Sequence, residues 1–200
     1  MTRARLRLTH CLLALACLLM PLASGCSQFV LLGLLFGGKP QVEPDFETQT
    51  AHSLMEDDPI VAVVCWAPLE IQYDHPNIHN DIANYVSQSL FANKISVTSP
   101  THVQSWIDQH PNYDDVSEVG RHYEADYVIE IEIADFSLYE ENSVELLRGH
   151  TEAYISVVEM LPDGSGDIIY ETEIDFSFPT RVPRSTSDVP YSQFKMEYLT

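Results

Sequence analysis

The sequence feature that most constrains the fold is a continuous apolar run at Ile60–Cys65, four of whose six residues are β-branched. A half-exposed strand alternates apolar with polar residues, whereas an uninterrupted run of this kind is typical of a strand covered on both faces. We therefore expect a central strand that other parts of the chain bury.

Downstream of this run, apolar residues first recur at the spacing of a helix and later at the two-residue spacing of a strand. Apolar residues between 77 and 92 recur at helical spacing, and a Ser-Pro pair at 99–100 starts a second helix. From 127 to 133, apolar residues alternate with Glu130 and Glu132, so these two carboxylates mark the solvent face of a half-exposed strand. The predicted elements are a strand at 60–65, a helix at 77–92, a strand at 95–98, a helix from 100, a short helix near 116–123, and strands at 127–139, 146–160 and 167–176.

These elements define an α/β (α+β) domain with the order β-α-β-α-(α)-β-β-β-(α), a mixed β-sheet and helices mainly on one face. The alternation slips at Ala134–Asp135, which predicts a β-bulge. A final helix begins near Tyr191, and its apolar stripe is incomplete at Thr200, so either this helix is short or the chain is truncated. The last long strand should direct five alternate residues to one face: Ile168, Tyr170, Thr172, Ile174 and Phe176.

The first residues have the organisation of a secretory signal. Three arginines within the first seven residues precede an apolar run at 8–22, and three small residues follow at 23–25. A basic region, an apolar region and a small-residue cleavage site in this order are typical of a signal peptide. We predict a signal peptide at 1–25, cleaved between Gly25 and Cys26.

The segment Leu22–Cys26 resembles the lipobox of bacterial lipoproteins. The resemblance implies that the thiol of Cys26 carries a covalent lipid. Ser27 and Gln28 follow, with no aspartate, and by resemblance to enterobacterial lipoprotein sorting this favours the outer membrane over the inner one. The implied location is the bacterial cell envelope, with the domain lipid-anchored and facing the periplasm.

A second apolar run follows immediately after the lipid site, at 29–36. Joined to the first run it would exceed the roughly 20 residues that cross a bilayer, and the alternative is then an uncleaved membrane anchor. Pro21 and the polar residues in the join favour a run that rests in the membrane interface and adds a second anchoring signal. Its membrane-proximal residues are Phe29, Leu31, Leu32, Leu34, Leu35 and Phe36.

The rest of the chain divides into a tether and one domain. Residues 26–38 hold the lipidated cysteine and the apolar segment, and residues 39–59 are polar and contain three prolines, as is typical of a linker. Residues 60–200 are long enough for a single domain with its own core.

Cysteine content and charge narrow the function classes. After cleavage and lipidation only Cys65 remains as a thiol, so no intramolecular disulfide forms, and its apolar strand predicts a buried small hydrophobe instead of a nucleophile. Removal of three of the ten basic residues with the signal leaves seven against 30 acidic ones, a formal net charge of −23. This charge argues against nucleic acid and anionic lipid headgroups as partners of the domain, and it suits a basic protein partner or simply solubility.

Few residues form a recognisable chemical site. His75 and His79 have a metal-like spacing, yet no third ligand is evident and Pro76 separates them, so loop and helix-capping roles are favoured over metal binding. The sequence has no nucleophile elbow, no dinucleotide or phosphate-binding loop and no H-E-x-x-H motif. We therefore predict no catalytic residue, no metal and no cofactor apart from the covalent lipid on Cys26.

Two loops contain more charged and aromatic side chains than a turn requires. One lies at 139–143, and the other, at 181–187, holds two of the seven basic residues of the mature chain. Binding residues concentrate on loops carried by a rigid scaffold, so both loops are candidate partner-binding surfaces. The alternative for the second is a proline-rich crossover packed along the sheet. The candidate residues are Tyr139, Glu140, Glu141, Arg181 and Arg184.

Residues Ile60–Tyr139, with Val61–Val64, Tyr85–Leu90 and Ala125–Ile129, resemble the small envelope lipoprotein domains related to the TolB amino-terminal domain, the group that includes CsgG and LpoB. Nearly the whole chain is also similar to uncharacterised lipoproteins of planctomycetes. The resemblance implies a non-enzymatic module that docks a protein partner, or associates with itself, in the cell envelope. Two alternatives stay open: an oligomeric component of an envelope secretion or transport system, and an envelope hydrolase, which would require titratable groups converging in one pocket.

Overall fold

The structure is a computed structural model, and it describes residues 45–199. The predicted signal peptide, the lipid site at Cys26, the apolar run Phe29–Phe36 and the first part of the predicted tether lie outside the described residues. Among the helices of the described part, none has the length and apolar character needed to cross a membrane.

Six helices and six strands make up the described part of the chain. Each predicted strand and helix has a counterpart among them, and α1, α2 and β6 were not predicted from the sequence. In chain order the elements are α1 Asp45–Thr50, β1 Ile60–Trp66, α2 Leu69–Asp74, α3 Ile78–Ala92, β2 Ser96–Val97, α4 Pro100–Gln109, α5 Ser117–Tyr123, β3 Tyr127–Tyr139, β4 Leu146–Met160, β5 Gly166–Phe178, β6 Arg184–Ser185 and α6 Tyr191–Leu199.

One mixed sheet organises these elements, with the strand order β2-β1-β3-β4-β5. β1 pairs in parallel with both β2 and β3, because helical crossovers connect these strands. β3, β4 and β5 form an antiparallel meander, and β6 pairs with the first residues of β4. The predicted fold class, an α/β (α+β) domain built on a mixed sheet, is confirmed.

The central strand β1 is buried on both sides, as its continuous apolar run predicts. Val61, Val63 and Cys65 belong to a core cluster on one face, which we call the first face, and α2, α3 and α6 contribute side chains to that cluster. Ala62 and Val64 point to the second face and pack with residues of α4 and α5. The helices therefore lie mainly on the first face, where α1 also packs, while α4 and α5 cover part of the second face.

Two register shifts decide which residues of the meander share a face. The shift between Ile133 and Asp135 confirms the predicted bulge. A second shift sets Val157 opposite Tyr170 but Val158 opposite Ile168, so that one extra residue of β5 lies between them. The prediction that Ile168 shares a face with Tyr170 is therefore wrong, because this bulge turns Ile168 to the second face.

The tether predicted at 39–59 is wrong for its described part. Residues 45–50 form α1, and the compact unit begins at Asp45. The ring of Phe46 meets that of Tyr170 edge-on at 5.6 Å, and Leu54 also packs against the core of the first face. The apolar residues of this polar segment give no periodic signal, and only the folded sheet supplies the partners against which Phe46 and Leu54 pack.

Cys65 lies inside the core, as predicted. Its side chain is buried, and this burial raises the pKa of the thiol to about 12. A thiol that stays protonated at neutral pH is a poor nucleophile, so Cys65 acts as a small apolar residue of β1.

Candidate functional site on the open face of the sheet

The second face of the sheet is only partly covered. α4 and α5 cover the part of this face that contains Val64, Val128 and Val158. Beyond them the face is open, and both Trp66 and Tyr154 are 52% exposed. The carboxylates of this open region form a surface that we call the acidic face: Glu130, Glu132, Asp135, Glu152, Glu171, Glu173 and Asp175.

Strand register arranges the acidic face in rows across the sheet. In one row Glu132 pairs with Tyr154, which pairs with Glu173, and Trp66 extends the same row on β1. Neighbouring strands are about 4.8 Å apart, and alternate residues of one strand recur about every 6.6–6.8 Å, so the carboxylates stand on a regular lattice with aromatic rings between them. A sheet fixes such positions more rigidly than a loop does.

The acidic face carries a concentrated negative potential. The pKa of Glu130 is raised, first by burial and then by the charge of Glu132, although Ser156 donates a hydrogen bond of 3.4 Å that opposes the shift. The pKa of the nearby Tyr113 is also raised, by burial and then by the charges of Glu130 and Glu132. A bound cation would relieve this repulsion, because an opposite charge favours the ionised carboxylate.

Within residues 45–199, the ion pairs of the acidic face are all made with His150. Its Nε2 lies 3.4 Å from Glu152 Oε1 and 3.5 Å from Asp135 Oδ2, and its Nδ1 lies 3.8 Å from Asp175 Oδ1. Nδ1 also lies 3.0 Å from Ser177 Oγ. One imidazole therefore stands among three carboxylates, while the carboxylates nearer Trp66 have no such partner in the described chain.

Ser177, His150 and Asp135 follow one another like the nucleophile, base and orienting acid of a hydrolase. Such chemistry also needs a pocket that holds the substrate and donors aimed at the developing oxyanion. Here the group lies on the surface of a sheet, and Glu152 and Asp175 beside it are exposed to solvent. The geometry is suited to holding a cation more than to acyl transfer.

The two loops predicted to bind a partner meet at one end of the sheet. Arg148 joins them, since it forms an ion pair of 3.0 Å with Glu140 and donates a hydrogen bond of 3.1 Å to the backbone carbonyl of Arg181. Arg184 makes a bidentate pair with Glu197 at 2.7 and 2.8 Å.

The remaining contacts of these loops also lie within the chain. The guanidinium of Arg184 sits 5.3 Å from the ring of Phe178, and Tyr139 stacks on Tyr191 at 5.6 Å. Glu141 is exposed. Several of the side chains that made these loops candidate binding surfaces thus stabilise the fold. Their role in binding stays a prediction.

The structure does not bring His75 and His79 together in a metal-binding group of the described residues. His75 ends α2, where its Nδ1 lies 3.4 Å from the hydroxyl of Tyr191 and its ring packs edge-on against Phe136. Burial lowers the pKa of both histidines. His75 is therefore a packing residue between α2, β3 and α6.

Sequence reasoning missed the cluster at His150. Its only local signal is that His150 and Glu152 are two apart on a strand and so share a face. Asp175 joins them through the pairing of β4 with β5, which the sequence does not specify.

No family model matches the chain, and no curated protein matches its sequence. Among solved structures, the chain is similar to lipoprotein GNA1162 from Neisseria meningitidis, with 10% identity, coverage of 70% of this chain and 92% of that one, and a TM-score of 0.46. It is also similar to the PelC dodecamer from Paraburkholderia phytofirmans, with 12% identity, coverage of 70% and 83%, and a TM-score of 0.42. The LpoB C-terminal domain from Salmonella enterica is similar at 13% identity, coverage of 66% and 98%, and a TM-score of 0.38. At these values the likeness is limited to the general course of the chain.

Proposed function

We propose that this protein is a lipid-anchored lipoprotein of the bacterial cell envelope whose domain binds a basic segment of a partner protein on the acidic face. One observation carries the proposal: an open sheet surface presents rows of carboxylates around the exposed rings of Trp66 and Tyr154. Positive potential on a partner would complement this surface, raise the rate of association and select against acidic partners. Phosphate-bearing partners would be repelled.

The spacing of the carboxylates favours an extended partner segment. Glu130 and Glu132 on β3, and Glu171, Glu173 and Asp175 on β5, are alternate residues of their strands. Alternate side chains of an extended segment recur at the same interval of about 6.6–6.8 Å, so a segment with Lys or Arg at every second position matches the carboxylates without distortion.

The aromatic rings add binding affinity that the charges alone do not provide. Exposed ion pairs contribute little affinity, typically about 0.2–1 kcal/mol each. Trp66 and Tyr154 add apolar surface for the stems of Lys and Arg and ring faces for cation–π contacts. The surface therefore combines hot-spot residues with a charged rim, which is the composition of protein interfaces.

The anchor and the envelope location belong to the same proposal. They are supported by the sequence before Cys26 and by the second apolar run at 29–36. A lipid anchor restricts the domain to a membrane surface, so that partner encounters become two-dimensional. The role we propose is docking or assembly without catalysis.

Self-assembly as part of an envelope secretion or transport system is the second candidate. β5 is the last strand of the sheet, and Ile174 and Phe176 expose 38% and 47% of their surface on it. Long edge strands with exposed apolar residues are templates for pairing with another chain. This observation favours a second copy of the chain on the β5 edge.

Site-specific photocrosslinking in intact membranes tests the docking proposal. A benzophenone amino acid replaces Tyr154 in the full-length chain, and a matched variant carries it at Tyr73, which is 87% exposed on α2. We expect a discrete protein adduct from position 154 and none from position 73. The crosslinked partner peptide should be rich in Lys and Arg; a peptide without them contradicts the proposal.

Charge reversal makes the test specific to the acidic face. The pair Glu132→Lys and Glu173→Lys flanks Tyr154 and should abolish the adduct, whereas Glu70→Lys with Glu145→Lys, two exposed carboxylates outside the acidic face, should leave it unchanged. Absence of the adduct, or its survival after reversal of Glu132 and Glu173, would rule out this surface. An adduct with a second copy of the chain would support self-assembly instead.

A further inference from the structure

We propose that His150, Glu152 and Asp175 bind a divalent cation of the zinc class. Glu152 and Asp175 also belong to the acidic face, but this inference does not rest on the docking proposal, because metal binding is measured without a partner protein. The three side chains offer ligand atoms that all lie within 4.8 Å of one another, and they are the group of at least three His, Cys, Asp or Glu residues that the described chain brings this close. An imidazole with two carboxylates is a ligand set that zinc accepts, with water in the open position.

The backbone holds the three positions in place. Glu152 pairs directly with Asp175 across β4 and β5, and His150 lies two residues along β4 on the same face. Both strands continue in a regular antiparallel ladder on either side of these residues. Metal sites on strands are better preorganised than sites on loops, because the backbone does not have to be ordered on binding.

The contacts of His150 with its carboxylates are longer than direct hydrogen bonds and leave space for an ion between the ligand atoms. A charge-assisted hydrogen bond between imidazole and carboxylate would measure about 2.7–2.9 Å. His150 Nε2 is instead 3.4 Å from Glu152 Oε1. Two ligand atoms that share one tetrahedral zinc, each about 2.0–2.2 Å from it, stand about 3.3–3.6 Å apart. The separation of 3.4 Å between His150 Nε2 and Glu152 Oε1 lies in this range. Asp175 Oδ1 lies 3.8 Å from the other ring nitrogen, Nδ1, so Asp175 turns toward Nε2 when the ion binds.

A neighbouring side chain holds the imidazole in the required orientation. Ser177 Oγ lies 3.0 Å from His150 Nδ1, so the ring engages the serine through one nitrogen and directs Nε2 toward Glu152. Metal-binding histidines commonly use the second ring nitrogen in this way. Asp135, whose Oδ2 is 3.5 Å from Nε2, adds a further negative charge that attracts a cation.

The ligand chemistry selects the class of metal. Mg²⁺ keeps several waters and Ca²⁺ takes six to eight oxygen ligands, so neither uses an imidazole site well. Zinc and its first-row neighbours accept imidazole and carboxylate together. The partial solvent exposure of the three residues leaves room for water to complete the coordination.

Zinc titration of the metal-free, full-length chain in detergent, made without a histidine tag, tests the site. Calorimetry should detect one tight site in the wild type that is lost in His150→Ala, with a Kd at least about 100-fold weaker, since even outer-shell changes cost 10- to 100-fold. His52→Ala is the matched control, because His52 lies 3.9 Å from the single carboxylate of Glu159, and it should bind zinc like the wild type. Identical isotherms for the wild type and His150→Ala would overturn the proposal.

A spectroscopic readout identifies the ligands and covers the case in which His150→Ala does not fold. Cobalt substituted for zinc should give the visible absorption of a four-coordinate site, and the double variant Glu152→Gln with Asp175→Asn should lose it. Both changes are nearly isosteric and lie at exposed positions, so folding should be retained. A cobalt spectrum unchanged by the double variant would show that these carboxylates are not ligands.

Discussion

At the scale of single residues, Glu130 is a carboxylate whose surroundings disfavour its ionised form. It is half-buried beside Glu132, and both burial and this neighbour raise its pKa above the ordinary value of 4.5. The folded state therefore holds the proton of Glu130 more tightly than the unfolded chain does. Its contribution to stability is complete below the ordinary pKa and is lost as pH rises through the raised pKa.

Replacing Glu130 with glutamine should stabilise the protein at pH 7, because the variant has no charge to desolvate. The gain in the free energy of unfolding should shrink as pH falls, and should vanish below about pH 3, where the wild-type carboxyl is protonated in both states. Urea unfolding at both pH values measures it. Glu70→Gln, on an exposed residue, is the control, and an equal gain from both variants would contradict the explanation.

Cys26 determines where the protein resides in the proposal. Cys26→Ala removes the thiol that we propose receives the lipid, so the chain should accumulate as an unprocessed precursor of higher mass. Immunoblots of membrane and soluble fractions detect it, and Ser27→Ala should mature normally. Ordinary processing of Cys26→Ala would exclude the lipoprotein assignment.

At the scale of elements, α6 is a short helix that aromatic side chains and ion pairs attach to the rest of the domain. Phe194 is fully buried in the core of the first face and lies close to the rings of Phe178 and Tyr198, at 6.3 and 6.4 Å. Lys195 adds an ion pair of 2.6 Å to Asp81 on α3. Gly149 of β4 permits the close approach, because a β-carbon there would overlap the ring of Tyr198.

Phe194→Ala should therefore destabilise the whole domain, by about 3–5 kcal/mol, since it leaves a large cavity in a continuous core. The midpoint of urea unfolding gives the change. Gln193→Ala changes an exposed neighbour on the same helix and should stay within about 0.5 kcal/mol of the wild type. A small effect of Phe194→Ala would mean that α6 is not an integral part of the fold.

At the scale of the whole molecule, the acidic charge acts on stability as well as on binding. With 30 acidic against ten basic residues in the full chain, the compact state suffers from its own repulsion, and the acidic face concentrates that repulsion on one surface. Salt screens exposed charges over about 10 Å at 0.1 M. Stability and partner binding should then respond to salt in opposite directions.

The melting temperature should rise as NaCl increases from about 0.01 to 0.5 M, because screening weakens the repulsion. In the triple variant Glu130→Gln, Glu132→Gln and Glu173→Gln the rise should be smaller, while Glu70→Gln should leave it unchanged. Scanning calorimetry provides both slopes. A melting temperature that falls with salt, or an equal dependence of the melting temperature on salt in all three proteins, would show that charge repulsion on the acidic face does not destabilise the fold.

The sequence by itself determined the long elements and much of their exposure, because these depend on local period, whereas the short elements α1, α2 and β6 gave no such signal. The run at Ile60–Cys65 predicted a strand buried on both faces. The alternation around Glu130 and Glu132 predicted a half-exposed strand with these carboxylates on its solvent face. Both predictions are confirmed. Helix and strand periods are short-range properties, so a few residues suffice to read them.

Only the tertiary structure decided which distant residues meet. The bulge that turns Ile168 over, the packing of Phe46 on β5 and the convergence of His150 with Asp175 all depend on strand pairing. A shift of one residue in register moves every side chain to the opposite face. The bulge between Val157 and Val158 changes the register of β4 with β5, so the position of Asp175 could not be extrapolated from the turn that joins these strands. The acidic face and the candidate metal site are products of that register.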